Sequence, residues 1–215
     1  KLVEQLVSGQ LHLEKVGELR EVTMLFSDIR GFTAMSEKAK ATEIVAMLNE
    51  YFEIMVDILF RWNGTLDKYV GDEIMALFGA PVPMEDSSWH AVQCAIDMQA
   101  ALRDFNQKRS LRGLEPIQIG IGINTGMVVS GAIGSSHTMQ YTVIGDAVNT
   151  ASRLCSIAKP GEIIVSESTL ASVQDKVEMI ALPPTKVKGK VSALRIFNVV
   201  GRKGDSSGFF SKELT

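Results

Sequence analysis

Residues 69–79 read YVGDEIMALFG, and this stretch sets the interpretation of the whole chain. It lies across two β-rich runs, residues 66–70 and 74–78, joined by a Gly-Asp-Glu connection. A connection this short is typical of a β-hairpin. The stretch therefore predicts two antiparallel strands with Asp72 at the tip of their turn.

A second acidic residue follows an apolar strand earlier in the chain. Residues 26–33 read FSDIRGFT, and the apolar run 22–26 suits a strand covered on both faces, with Asp28 just past its end. Each aspartate alone is more often a capping or turn residue. Two carboxylates beside glycine-containing loops, however, supply the hard oxygen ligands that Mg²⁺ or Mn²⁺ prefers. Asp28 and Asp72 together therefore predict a two-metal phosphate site.

The remaining patterns predict an α+β domain. Apolar residues at helical spacing predict helices from Glu37 to Asn63, from Asp86 to about residue 105, and from Asp146 to about residue 158. Further strands are predicted at residues 117–123, 127–129, 139–144, 163–165 and 193–199. This order resembles a ferredoxin-like antiparallel sheet with helices on one face. We expect residues 1–20 to be a linker, 21–200 the domain, and 201–215 a flexible tail.

Composition narrows the class of protein. The chain has 215 residues, 46% of them hydrophobic, which suits one domain with a substantial core. A net charge of −3, without a basic run interleaved with aromatic residues, gives no basis for binding nucleic acid. No run approaches the ~18 apolar residues of a membrane span. We therefore expect a soluble, cytoplasmic protein with no membrane segment within this fragment, which begins at Lys1 rather than methionine.

The cysteines and histidines do not predict a zinc site. Cys94 and Cys155 lie far apart without a CxxC pair, and His12, His90 and His137 are not clustered. Two such cysteines fit buried, small hydrophobic roles in a reducing compartment.

A third stretch, residues 141–154, reads YTVIGDAVNTASRL. With FSDIRGFT and YVGDEIMALFG before it, the chain resembles the catalytic domain of the class III nucleotide cyclases over about residues 22–200. More closely, it resembles the cyanobacterial adenylate cyclases related to the bicarbonate-responsive soluble enzymes. The resemblance implies an adenylate cyclase that converts ATP to 3′,5′-cyclic AMP and pyrophosphate.

The resemblance also implies a metal site. Asp28 and Asp72 would bind two divalent cations, Mg²⁺ or Mn²⁺, with the backbone carbonyl of Ile29 as a further ligand. Cyclisation requires a deprotonated ribose 3′ hydroxyl and a neutralised pyrophosphate, and paired metals roughly 3.5 to 4 Å apart serve both needs. The general base remains open.

Two segments are expected to contact the triphosphate. Gly31, Phe32 and Thr33 lie at a helix entrance, where backbone N–H groups can bind phosphate oxygens. An ordinary N-cap at Thr33 or Ser36 is the alternative interpretation. Lys188 matches the family's phosphate-binding lysine, although alternating lysines can also protect an exposed strand edge.

Base recognition is implied at Lys68, Thr142 and the adjacent Val143. Lys68 can donate to adenine N1 and the Thr142 hydroxyl can accept from the N6 amine, whereas guanine presents a donor at N1. Outside the motifs, both would pass for ordinary strand residues. Many adenylate-forming relatives carry Asp in place of Thr142. This departure leaves the preference for adenine less strict, and it motivates the hypothesis that bicarbonate or CO₂ modulates activity.

Asn149 and Arg153 lie four residues apart on one predicted helix, so they share a face. The resemblance implies that Asn149 contacts the ribose and that Arg153 stabilises the transition-state phosphate; a surface ion pair is the alternative for Arg153. Asp146 is interpreted as an N-cap. In the family one subunit supplies the metal aspartates and the other the Asn and Arg. A chain with both sets is expected to form a head-to-tail homodimer with two shared sites.

Three alternatives stay open. The first is a guanylate-forming or mixed-specificity cyclase, against which Lys68 argues. The second is a catalytically silent nucleotide-binding regulatory domain, although Asp28, Asp72, Asn149 and Arg153 are all present. The third is a polymerase-palm or diguanylate-cyclase relative, but VGDEI lacks the second glycine of the GGDEF signature.

Overall fold

A computed structural model describes residues 17–135, 137–185 and 193–204 of the chain. In these ranges the chain forms eight strands and five helices. In chain order they are β1 (Glu18–Ile29), α1 (Phe32–Lys38), α2 (Ala41–Arg61), β2 (Thr65–Val70), β3 (Glu73–Phe78), α3 (Ser87–Leu111), β4 (Ile119–Gly134), β5 (Met139–Ile144), α4 (Asp146–Ile157), β6 (Ile163–Ser166), α5 (Glu167–Ala171), β7 (Val177–Thr185) and β8 (Leu194–Arg202).

The strands form one sheet in the order β2-β3-β1-β4-β6-β8-β7, with β5 paired to β4 outside this path. The pairing of β4 with β6 is parallel. The other pairings are antiparallel, including those of β1 with both β3 and β4 at the centre. The predicted α+β class with an antiparallel sheet is therefore confirmed.

The two faces of the sheet carry separate parts of the core. In β1, Leu25 belongs to the larger cluster, which α2 and α3 cover, whereas Met24 belongs to a smaller cluster on the opposite face. This division follows from the alternation of side chains along a strand. Ala151 and Cys155 of α4 pack into the smaller cluster. The prediction placed the helices on one face of the sheet, whereas in the structure α4 packs on the opposite face from α2 and α3.

Long-range pairing extended several predicted strands. β4 pairs with β1 at every position from Glu18 to Ile29, so the two predicted strands 117–123 and 127–129 form one continuous strand. β1 begins within the last three residues of the predicted linker. Asp28 is the penultimate residue of β1 and does not lie past its end, which corrects the sequence interpretation.

Other predictions agree closely with the structure. The β2–β3 hairpin has Asp72 in its turn, and β5 has the predicted bounds. α2 begins at Ala41, not Glu37, because the separate helix α1 precedes it. Asp86 occupies the N-cap position of α3, but its side chain makes no capping hydrogen bond. Residues 1–16 of the predicted linker and 205–215 of the predicted tail lie outside the described ranges.

Candidate active site

Asp28 and Asp72 meet where the end of β1 lies beside the β2–β3 turn. The antiparallel pairing of β1 with β3 ends at Ser27, which lies opposite Ile74. The residues that follow Ser27 therefore lie beside those that precede Ile74. The backbone N–H of Ile29 donates to Asp72 Oδ2 at 3.1 Å. The structure therefore brings the three predicted metal-site residues together.

The Asp72 carboxyl is unusually reluctant to ionise. Its pKa is raised to about 7, chiefly by burial and then by a hydrogen bond with Asp28 and the charge of Asp28, while the Ile29 N–H opposes the shift. Two carboxylates in contact repel each other when both are charged. A cation placed between them would remove this repulsion.

Arg30 also belongs to this cluster. Its Nη2 donates to Asp28 Oδ2 at 2.8 Å, and its Nη1 donates to the carbonyl oxygen of Ala158, directly after α4, at 3.4 Å. Arg30 thus ties the carboxylate end of β1 to the C-terminal end of α4. Sequence reasoning missed this residue, and the available signal was a cation two positions after Asp28.

The donor set fits a hard divalent cation. Among the described residues, no group of three or more His, Cys, Asp or Glu side chains is arranged to hold a metal. The two carboxylates provide part of the oxygen shell of a Mg²⁺ site, which substrate phosphates and water normally complete. The raised pKa of Asp72 shows that its negative charge is not balanced by the protein. Asp28, Asp72 and the Ile29 carbonyl remain the residues that would hold such ions.

The predicted phosphate segment begins α1. Gly31 is the N-cap with φ of 74°, a left-handed conformation that glycine adopts without strain. No side chain caps this helix. Thr33 and Ser36 lie inside it, and the Ser36 hydroxyl donates to the Thr33 carbonyl at 2.8 Å. The alternative of an N-cap at Thr33 or Ser36 is therefore wrong, because the chain turns one residue before Phe32.

The two predicted base-reading residues are joined by a carboxylate that the sequence analysis did not single out. The Thr142 hydroxyl donates to Asp67 Oδ2 at 3.1 Å, and Lys68 Nζ lies 3.3 Å from the same oxygen. The Asp67 side chain is 1% exposed. Burial raises its pKa, while the Lys68 charge and the Thr142 hydrogen bond oppose the shift. An acidic residue within a β-rich run was the only signal for Asp67.

Contact between β2 and β5 depends on how the β4–β5 hairpin folds. β3, β1 and β4 separate these two strands in the order of the sheet. Val143 of β5 nevertheless belongs to the buried cluster that contains Met24 of β1 and Met75 of β3. β5 therefore lies over this face of the sheet, and the fold brings Thr142 to Asp67.

α4 carries Asn149, which is exposed, and Arg153, which is half-buried. The helix lies close to β4 because residue 122 is glycine. A Cβ there would lie 2.0 Å from the backbone nitrogen of Cys155 and 2.5 Å from the carbonyl oxygen of Ala151. The N-cap of α4 is Gly145, so Asp146 is the first helical residue and not the predicted cap.

The remaining predictions concern residues with no described role at this site. Lys188 lies outside the described residues. Cys94 and Cys155 are free and buried, as predicted, and burial raises the pKa of the Cys155 thiol to about 12. In the described part of the chain, no helix is long and apolar enough to cross a membrane.

Comparison with known proteins identifies related sequences over most of the chain. A family model described as the adenylate and guanylate cyclase catalytic domain matches residues 14–201. Adenylate cyclase 1 of Rhizobium meliloti is 37% identical over 184 residues, which is 85% of this chain and 28% of that protein. The adenylate cyclase of Anabaena cylindrica is 40% identical over 190 residues, which is 84% of this chain and 37% of that protein. The chain thus spans well under half of either relative.

Solved structures show the same architecture. The guanylyl cyclase Cya2 superimposes with a TM-score of 0.82 at 40% identity, covering 90% of this chain and 98% of that one. The adenylyl cyclase CyaB from P. aeruginosa gives a TM-score of 0.85 at 35% identity, covering 88% and 98%.

Proposed function

The chain belongs to the adenylate and guanylate cyclase catalytic domain family, the class III nucleotide cyclases, and we propose that it converts ATP to 3′,5′-cyclic AMP and pyrophosphate. The observation that carries this proposal is the Lys68–Asp67–Thr142 cluster, which presents a cationic donor beside a hydroxyl. Adenine offers an acceptor at N1 and a donor at N6, so it complements this pair. Val143 follows Thr142 and would contact the same base.

Two divalent cations held by Asp28, Asp72 and the Ile29 carbonyl would acidify the ribose 3′ hydroxyl and neutralise the departing pyrophosphate. The protein's own part is to keep two carboxylates in contact and partly desolvated, so that they favour a dication over their free state. Arg30 positions Asp28 through their ion pair.

Four further elements complete the proposed site. Asn149 would orient the ribose, and Arg153 would stabilise the charge that develops on the transferred phosphate. Arginine suits that role because its guanidinium is planar and always charged. The segment of Gly31, Phe32 and Thr33 would bind phosphate oxygens through backbone N–H groups, and Lys188 would contact the phosphates as well.

An exposed apolar patch supports a homodimer with two shared sites. Val129 of β4 lies opposite Leu19 of β1 and Ile144 of β5, and these side chains are 42%, 65% and 57% exposed. Met127, Ile133 and Met139 on the same two strands, β4 and β5, are also exposed. An apolar patch of this kind is typical of a protein interface. A second copy is the proposed partner, and a fully active monomer in analytical ultracentrifugation would contradict it.

The decisive experiment is product formation from ATP and from GTP, each with Mn²⁺ and with Mg²⁺, with the cyclic monophosphates separated by chromatography. Cyclic AMP from ATP alone is expected. Cyclic GMP would favour the guanylate-forming alternative, which the similarity to the guanylyl cyclase Cya2 keeps open. No product with either metal would favour a silent nucleotide-binding regulatory domain.

Three finer proposals go beyond the geometry of the site. Bicarbonate or CO₂ is proposed to stimulate the enzyme, since Thr142 replaces the Asp of many adenylate-forming relatives. Unchanged rates across a bicarbonate titration at fixed pH would exclude this. We also propose a cytoplasmic location and a catalytic unit of about residues 21–200, preceded by a linker and followed by a flexible tail.

A further inference from the structure

Asp67 is a buried carboxylate, and packing alone does not explain the free-energy cost of burying it. Its Oδ2 oxygen contacts both Thr142 and Lys68, but its Oδ1 oxygen is buried and has no hydrogen-bond partner within the described part of the chain. Burying a polar atom without a partner costs free energy. A carboxylate buried at such a cost is a candidate for a role in ligand binding.

The backbone of β2 is shaped so that Asp67 and Lys68 act at one place. Adjacent residues of a regular strand point to opposite faces. In β2, however, Leu66 lies opposite Ala76 and Lys68 lies opposite the next residue of β3, Met75. Asp67 is therefore the extra residue of a β-bulge, a feature that redirects side chains and is common beside active sites.

The contact with Asp67 determines how the Thr142 hydroxyl can bond. A hydroxyl has one proton and can donate or accept, whereas a carboxylate can only accept. Thr142 therefore directs its proton to Asp67 Oδ2 and presents only lone pairs elsewhere. Lone pairs attract the 6-amino group of adenine and repel the 6-oxo group of guanine or hypoxanthine.

We propose that Asp67 is a positioning residue that selects 6-aminopurine over 6-oxopurine nucleotides. This inference rests on the proposed adenylate cyclase activity. Asp67 achieves this selection by fixing the Thr142 hydroxyl as an acceptor and by holding the Lys68 ammonium beside it. The residues proposed to select the base thus include a third, Asp67, which acts through Thr142 and Lys68.

The test compares kcat/KM for ATP and for inosine triphosphate, which carries the 6-oxo group without the 2-amino group of guanine. In Asp67→Asn the new amide can donate to Thr142, which frees the hydroxyl proton to meet a 6-oxo group. The ATP preference should fall about tenfold or more, the worth of one hydrogen bond and one removed repulsion. Asp97→Asn is the matched control, because Asp97 is a paired carboxylate held by Trp62 and Arg202. Its ATP preference should equal that of the wild type.

The outcomes separate this inference from the proposed function. A folded Asp67→Asn protein that loses activity equally with both nucleotides would show a purely structural role and overturn the inference alone. No cyclic product from the wild type with either nucleotide would overturn the proposed function and the inference together.

A second pair of variants serves if Asp67→Asn does not fold. Thr142→Ser keeps a hydroxyl that can donate to Asp67 and should keep the ATP preference. Thr142→Val removes the acceptor at nearly constant volume and should reduce the preference about tenfold. A valine variant with an unchanged preference contradicts the inference.

Discussion

Asp67 and Asp72 lie on the same β2–β3 hairpin, yet the fold treats their carboxylates in opposite ways. Burial raises the pKa of both. Around Asp67, Lys68 and Thr142 counteract that rise, whereas around Asp72 the neighbouring Asp28 adds to it. One carboxylate is matched by groups of its own chain, and the other is placed against a second negative charge.

This difference distinguishes Asp67, whose charge is paired within the protein, from Asp28 and Asp72, which form a candidate cation-binding site. Asp67 has a cation and a hydroxyl donor within hydrogen-bond distance of one oxygen, so groups of the protein itself offset its charge. Asp28 is paired with Arg30 and Asp72 accepts from the Ile29 N–H, but each carboxylate also faces the other. A divalent cation would therefore stabilise the turn end of the hairpin and leave the Asp67 end unaffected.

The largest expected effect comes from removing a carboxylate at the turn end. Asp28→Ala or Asp72→Ala should abolish turnover, because the proposed metal ions lose one of two side-chain ligands. Each variant should also lose the rise in melting temperature that Mn²⁺ produces in the wild type. Asp67→Asn should retain that rise. A Mn²⁺ response that is lost equally in all three variants would remove the distinction between the two ends.

A smaller effect is expected at Arg153, which serves the phosphate and not the metals. Arg153→Ala should lower kcat about 10²-fold or more with a milder change in KM, since its charge acts mainly in the transition state. Steady-state kinetics with ATP measure this split. A change confined to KM would reassign Arg153 to ground-state binding.

Mixing the two kinds of variant tests whether they belong to different subunits of one site. In a head-to-tail dimer, Asp28→Ala paired with Arg153→Ala leaves one site with both changes and one intact site. Equal mixing and exchange of subunits should restore up to about a quarter of wild-type activity, because half of the dimers are mixed. Mixtures that stay inactive, with exchange verified by differently tagged subunits, contradict the shared site.

The smallest expected effect is on the stability of the metal-free protein. The pKa of Asp72 is raised from 3.8 to about 7 in the folded state, so folding is favoured by its protonation. This contribution is complete below about pH 4 and is lost as the pH rises through about 7. Asp72→Asn imitates the protonated form, so its melting temperature relative to wild type should increase by a few degrees, about 2 to 4 °C per kcal/mol, over that range.

Asp97→Asn is the control for this comparison as well, because it removes a carboxylate that is paired with Arg202. Its difference from the wild type should not increase in the same way. A constant difference between Asp72→Asn and wild type from pH 4 to 7 would show that burial and the neighbouring Asp28 do not raise the pKa of Asp72 as the structure indicates.

Much of the fold was predictable because its signals are local. Strong β-rich runs around a short Gly-Asp-Glu connection predicted the β2–β3 hairpin, and apolar spacing predicted α2, α3 and α4. The bounds of β1 and β4 were less predictable. They extend beyond their apolar runs because each strand provides the other with continuous backbone partners, which no local pattern reveals.

By itself, the sequence determined the family and the identities of the residues proposed for the site, because three motifs in order carry Asp28, Asp72, Thr142, Asn149 and Arg153, and Lys68 directly precedes the second motif. Only the tertiary structure decided which neighbours these residues have. Arg30 reaches the end of α4 and Asp67 reaches Thr142 through folding that joins distant segments. Such contacts determine whether a carboxylate lies beside an opposite charge or a like charge. Electrostatic energy depends on distance and burial, and not on position along the chain.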